Sequence, residues 1–306
     1  MSKQNKAYLF AGASILAWST ISTAFKLALN YLTPVGLLFF ASLTAFLFLG
    51  IVNAVSNPSL FKTKELFKTV GRNLKISLMR GLLNPFIYYL MLFEAYSRLR
   101  AQEAQALNYT WAIVLALFSI WLLKEKFRII DFVSLLISFF GVWVISTKGQ
   151  ITSLQFDDAL GSFLAVSTSI IWAFYWILNI KDKRPALTKL NYNFFLGFLF
   201  IALFALFTHK SLFTPQAIYG YGILGGIYVG IFEMGLTFLL WNKALELTDN
   251  TAVISNLIFF TPFLSLLFIS SVLKESIHYA TFIGLLLIFF SNLLQKGLPA
   301  ILKRNE

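Results

Sequence analysis

The chain has no cysteine among its 306 residues, only two histidines, and charged side chains at 12% of positions. Each shortage closes off a class of chemistry. Without cysteine there is no disulfide, no thiolate nucleophile and no Cys-ligated metal. His209 and His278 fall near the ends of apolar runs, no HExxH occurs, and no paired aspartates lie inside an apolar run. Metal hydrolysis and intramembrane aspartyl proteolysis would need such ligands. No P-loop is present, so the chain alone would not drive turnover with ATP. No catalytic residue, metal or cofactor is therefore expected. A soluble domain of this size would carry about twice the charge.

What the chain does have is apolar length. Hydrophobic residues make up 58% of it and aromatic residues 17%. Runs near 20 residues recur from end to end, the length that crosses a hydrocarbon core about 30 Å thick. They fall at 8–29, 34–55, 76–97, 102–123, 129–147, 159–180, 191–208, 217–241, 250–273 and 277–295. The fold class expected is an all-α polytopic membrane protein with ten transmembrane helices. The first run, from Tyr8 to about Leu29, is long enough to span and is expected to remain rather than be cleaved as a signal peptide.

The net charge of +12 does not point to nucleic acid, because the basic residues sit between apolar runs rather than in one patch. Ten spans from a cytoplasmic N-terminus put 1–7, 56–80, 124–128, 181–190, 242–249 and 296–306 inside. Those segments hold 19 of the 25 Lys and Arg residues. The bias predicts a multi-pass protein with both termini cytoplasmic. Segment 56–75 alternates Leu60, Phe61, Leu66 and Phe67 with Lys62, Lys64 and Lys68, which suits either a helix in the headgroup layer or a basic loop.

The run QALNYTWAIVLALFSIWLLKEKF, from residue 105, has a partner downstream. Aligning residue i with i+150 pairs Lys124-Glu125 with Lys274-Glu275 and Phe139-Phe140 with Phe289-Phe290. Residues 1–148 and 155–298 read as two copies of a five-helix unit, with 299–306 a cytoplasmic tail. Five is odd, so the second copy is inverted. Inverted repeats suit alternating access around a site near the midplane.

Ten helices, this repeat, LAWSTISTAFK in helix 1, RAQEAQALNYTWAIVLALFSIWLLKEKF across helix 4 and IIWAFYWILNIK in helix 6 resemble the drug/metabolite transporter superfamily, EamA type. The resemblance covers essentially the whole chain. The helix 4 string is similar to a Glu-Ala…Asn-Tyr-Leu-Trp-Pro pattern in a branch that includes bacterial aromatic-amino-acid exporters. It implies roles for Glu103, Asn108, Tyr109 and Trp111, a central cavity within helices 1, 3, 4, 6, 8 and 9, and a bacterial inner-membrane location. Two departures stand out. Ala112 occupies the usual proline position, whereas Pro262 keeps it in the second copy, and helix 9 reads SNLIFFTP where an Asn-Tyr-Trp cluster is usual.

Ionisable groups inside a bilayer cost about 2.5–3.5 kcal/mol each on insertion scales and tend to face a cavity or a partner. Glu233 is such a group. Gly222, Gly226 and Gly230 precede it at intervals of four, and Glu233 and Thr237 are expected to continue that face, which either a helix or a ligand can approach closely. Glu233 reads as a proton or substrate-amine partner, or as a structural carboxylate paired with a Lys or Arg. Glu103, in the first turn of helix 4, is explained equally by the helix dipole. Asn108 and Trp111 would suit a small zwitterion with an apolar side chain, or else an interhelical hydrogen bond and an interfacial indole. Trp18 in helix 1 and Trp172 in helix 6 are repeat-equivalent, with Trp176 on the latter's face. Asn84-Pro85 is expected to bend helix 3, with Tyr88 one turn later. Asn256, Phe260 and Phe263 form a face in helix 9. Glu94 and Arg98 read as a local ion pair, and Lys124-Glu125 and Lys274-Glu275 as anchors at headgroup level.

A secondary carrier for small organic metabolites fits these features best, with amino acids as cargo, hydrophobic or aromatic first. Efflux as its direction rests on the resemblance. Another neutral metabolite or drug-like solute, moved either way, is the alternative. A membrane-embedded enzyme, a channel and a non-transporting receptor fit less well. The expected partners are the small-molecule substrate and the lipid bilayer. Turnover would use a proton or other ion gradient, a membrane potential or the substrate gradient itself, in a monomer or a homodimer.

Overall fold

The computed structural model describes residues 1–56, 74–124, 129–150, 158–180, 182, 184–215, 218–249, 254 and 257–302. Segment 56–75 beyond Ser56 and before Leu74, together with Glu125, Ser255 and Asn256, lies outside them. The described chain is helical: α1 Lys3–Leu29, α2 Pro34–Ser56, α3 Leu74–Arg98, α4 Ala101–Asn108, α5 Trp111–Leu123, α6 Ile129–Ser146, α7 Ala159–Ile180, α8 Ala186–Thr208, α9 Tyr219–Phe232, α10 Leu236–Leu247, α11 Thr261–Leu273 and α12 Tyr279–Leu302. Seven stretches are long and apolar enough to cross a membrane, counting α4–α5 and α9–α10 as one each. Three shorter apolar helices, Phe132–Ser146, Ile258–Leu273 and Tyr279–Leu294, bring the apolar segments among the described residues to ten. The protein is an all-α polytopic membrane protein.

Helix ends follow local chemistry. The Ser2 hydroxyl caps α1 by accepting from Asn5 N at 3.1 Å, and Asp158 Oδ1 accepts from Gly161 N at 2.6 Å to start α7. Four non-glycine residues hold positive φ: Lys124, Lys148, His209 and Lys274. All four follow helix C-termini, where the dipole favours a cation by about 0.3–1 kcal/mol. That partly offsets the roughly 1–2 kcal/mol cost of a left-handed side-chain-bearing residue.

The chain divides into two compact units, each drawn from both halves of the sequence. Unit one is Met1–Phe93 with Lys183–Leu273, and unit two is Glu94–Asp182 with Lys274–Glu306. In unit one, α1 packs on α9, α10 and α11, while α2 packs on α8 and α9. The α1–α2 connection meets the α8–α9 connection at an isolated antiparallel bridge, Leu32 with Phe213. In unit two, α6 lies along α12, and α7 packs on α4 and α5. Gly141 and Gly284 let α6 and α12 cross almost backbone to backbone. A Cβ built at Gly141 would stand 2.8 Å from the Gly284 carbonyl oxygen, and one at Gly284 would stand 2.6 Å from that of Gly141.

The repeat is visible in the helix bounds. Trp111–Leu123 and Thr261–Leu273 start and stop 150 residues apart, since 261 − 111 and 273 − 123 both equal 150. Each ends on a lysine with φ near 58°: 59° at Lys124 and 57° at Lys274. The 23-residue helices Pro34–Ser56 and Ala186–Thr208 are likewise 152 apart at both ends.

Candidate functional site

Four of the expected helices are interrupted among the described residues, and the interruptions fall at corresponding places in the two halves. In α3 the helix is kinked within Leu82–Ile87, where Asn84 is extended at φ −145° and ψ 116°, at the bend the Asn84-Pro85 pair predicted. Its counterpart 149 residues on, Glu233, lies in the turn that separates α9 from α10, where Gly235 departs from helical geometry at φ −114° and ψ −88°. Between α4 and α5, Tyr109 and Thr110 form a turn, and in the second half a 3₁₀ turn at Ile258–Phe260 precedes α11. Discontinuous helices in matching positions are where transporters of inverted-repeat type place their ligands.

Two of these interruptions meet in unit one. The fully buried Tyr89 donates its hydroxyl to Glu233 Oε1 at 2.9 Å. Among the described residues the tyrosine hydroxyl is what holds Glu233, and no Lys or Arg reaches it. A single hydrogen bond to a charged group contributes about 1.5–3 kcal/mol. That is of the same order as the cost of placing a carboxylate in a bilayer, and it leaves a positive partner welcome. The Thr237 hydroxyl bonds the Phe232 carbonyl and so satisfies a group that the broken helix leaves open.

Tyr88, a site residue expected from the sequence, stacks edge-on against Tyr89 at 4.7 Å and 76°. The break before α10 overturns the single face drawn from Gly222 to Thr237. The glycines serve helix packing: Gly226 lies against Phe40 and Gly230 against Ala41 and Thr44, all on α2. Trp18 is half-buried, against Phe238 at 5.7 Å and Trp241 at 5.6 Å, on a cluster that includes Ala11 and Ile15. Ser14 ties α1 to α10 through the Thr237 carbonyl at 3.4 Å.

Unit two holds the remaining predicted residues. Asn108 donates its amide to Thr168 Oγ1 at 2.8 Å, an interhelical bond, while Tyr109 sits in the turn and Trp111 opens α5 half-buried. Trp172 stacks on Tyr175 at 5.8 Å and 28° and meets Trp176 edge-on at 5.9 Å. The Tyr175 hydroxyl and the Trp176 indole N–H are buried with no hydrogen-bond partner among the described residues. Glu103, 6% exposed, is in the first turn of α4 and lines a cavity of about 10 Å³ with Lys148, Asp158, Ser146 and Ser162. That is room for about one water.

Glu275 does not simply anchor a helix end. Its Oε1 accepts from Ala101 N at 3.3 Å, capping α4, while Gln102 donates to the Ser276 carbonyl and accepts from His278 N, both at 2.9 Å. Glu94 and Arg98 pair at 2.8 Å as predicted, with Asp158 3.6 Å from the same guanidinium.

Comparison with known proteins bears on both halves. A family described as "EamA-like transporter family" matches residues 5–147 and again 159–295. An uncharacterized transporter of Archaeoglobus fulgidus is 26% identical over 286 residues, covering 92% of this chain and 93% of its own. An uncharacterized transporter of Bacillus subtilis is 23% identical over 313 residues, covering 100% and 98%. A solved crystal structure aligns over 97% of this chain and 99% of its own at a TM-score of 0.63 and 20% identity, a likeness of fold.

Proposed function

The chain belongs to the EamA-like transporter family, and from that premise we propose that it is a secondary carrier exporting amino acids, hydrophobic or aromatic first. The observation that carries this reading is the Tyr89–Glu233 bond at the junction of two interrupted helices. A carboxylate held by one neutral donor suits an ammonium group or a coupling proton. The rings about it (Tyr88, Phe93, and Phe25 at 4.8 Å from Phe93) suit an apolar side chain. Asn108, Tyr109, Trp111, Trp172, Trp176 and Trp18 are proposed as further substrate contacts, with Asn256 from the sequence alone. Glu103 is the weakest member of the set.

In this reading residues 1–148 and 155–298 are inverted repeats that alternate access, in a bacterial inner membrane with both termini cytoplasmic. Another neutral metabolite or drug-like solute is the second reading, favoured by the absence of any Lys or Arg at Glu233 among the described residues, which leaves a substrate carboxylate without a cationic partner there.

Solute counterflow in proteoliposomes tests the proposal, with labelled amino acids, purines and polyamines and no imposed ion gradient. Accumulation of aromatic or large apolar amino acids is expected. Accumulation of purines or polyamines alone would overturn the amino-acid assignment and leave the carrier reading standing.

A further inference from the structure

In unit one the bridge of Leu32 with Phe213 is the centre of a larger clasp between the α1–α2 and α8–α9 connections. Thr33 N donates to the Leu212 carbonyl at 3.1 Å, and Thr214 N answers with a bond to the Tyr31 carbonyl at 3.0 Å. Side chains repeat the exchange. The Thr33 hydroxyl donates to the Ser211 carbonyl at 2.6 Å, and the Thr214 hydroxyl to the Asn30 carbonyl at 3.0 Å. The Thr33 oxygen also accepts from Gly36 N at 3.1 Å, so one side chain caps α2 and holds the other connection.

Packing closes over these bonds. Leu32 is fully buried, and Phe213 meets Phe40 of α2 at 5.6 Å and Tyr219 of α9 at 4.6 Å. A Cβ built at Gly36 would fall on the Leu212 carbonyl oxygen, so backbone lies against backbone there. The contact continues down α9, where Gly222 lies against Leu32 and Gly225 against Ala28 of α1. Connections at a membrane surface can satisfy their polar groups with water. Segments that open during function carry few buried contacts and solvent-exposed backbone hydrogen bonds. These two connections have the opposite character, with reciprocal bonds around a buried leucine.

We propose that this clasp stays shut throughout the transport cycle, so that no path for cargo opens between the joined ends of α1, α2, α8 and α9. The consequence rests on the carrier reading above, since a permanent clasp matters only where access alternates. Alternation then comes from motion that leaves these four helix ends together.

The chain lacks cysteine, so one engineered pair can lock the clasp. Leu32 and Phe213 face each other as a non-hydrogen-bonded antiparallel pair, whose Cα atoms lie about 4.5 Å apart, within disulfide reach. The double variant Leu32→Cys, Phe213→Cys is oxidised in proteoliposomes, and counterflow of the labelled amino acids is compared before and after reduction. The two fluxes are expected to agree within about twofold, because a crosslink that fits both states equally shifts neither. Loss of most of the flux on oxidation, regained on reduction, would overturn the proposal. Hydrogen exchange in the wild-type protein reads the same place without substitution. The Thr33 and Thr214 amides are expected to stay protected with and without the accumulated amino acid. Exchange at the rate of an open peptide, or protection lost when that amino acid is added, would overturn the clasp. Protected amides in a wild-type protein that shows no counterflow would support the clasp and count against the carrier reading alone.

Discussion

Glu233 and Glu103 are the same side chain in two kinds of place. Glu103 occupies the first turn of α4, where burial and the nearby Glu275 oppose a carboxylate and Lys148, the Arg100 backbone N–H and the Arg100 charge favour it. Its neighbourhood has room for about one water. Glu233 occupies a break in the middle of a spanning stretch, with one tyrosine hydroxyl for company. The first carboxylate has a helix start to favour it, although its Oε1 is buried without a hydrogen-bond partner among the described residues. The second has no helix start, and a carboxylate in the middle of a membrane-spanning stretch is the better candidate for transport.

The sharpest way to break that contrast is to neutralise each in turn. Glu233→Gln should lower counterflow by at least about tenfold, the loss of a charge-assisted contact of about 1.4 kcal/mol or more, with little change in folded yield. Normal flux from folded Glu233→Gln protein would retire the site. Tyr89→Phe keeps the ring and removes the donor. It is expected to reduce flux several-fold, and a variant as inactive as Glu233→Gln would make the tyrosine more than a positioning residue.

Smaller effects sharpen the comparison from the other unit. Trp111→Ala should weaken apparent affinity for aromatic substrates about fivefold more than for small ones, on the order of 1 kcal/mol of ring contact. An equal loss across the panel would indicate packing. Glu103→Gln should leave flux within about twofold and cost about 0.3–1 kcal/mol of stability through the helix dipole, read as a lowered Tm. If flux falls as far as in Glu233→Gln, the two carboxylates are functional equals. The smallest effect belongs to Lys274→Gly. It relieves a left-handed side chain and removes a favourable C-terminal charge, so a net gain below about 1 kcal/mol is expected.

Much of the architecture was legible before any coordinates. Apolar run length located the ten segments, because a bilayer's thickness imposes a span that composition cannot hide. The Lys124-Glu125 and Lys274-Glu275 pairing marked the repeat, and both lysines turn out to end their helices in the same left-handed conformation. Asn84-Pro85 announced a bend because proline lacks the donor that a helix needs.

The interruptions without proline were not legible. Nothing in Tyr109-Thr110, or in Glu233-Met234-Gly235, forbids a helix locally. Those breaks depend on partners distant in sequence, such as Thr168 at Asn108 and Tyr89 at Glu233.

The sequence by itself determined a multi-pass helical membrane protein of repeated design. Hydrophobic length and residue identity are properties of the chain, whatever it packs against. Only the tertiary structure decided that Tyr89 is the partner of Glu233, how Glu275 caps α4, and that each compact unit draws on both halves. Those outcomes depend on which groups, far apart in the chain, arrive within hydrogen-bonding distance, and no local pattern encodes that.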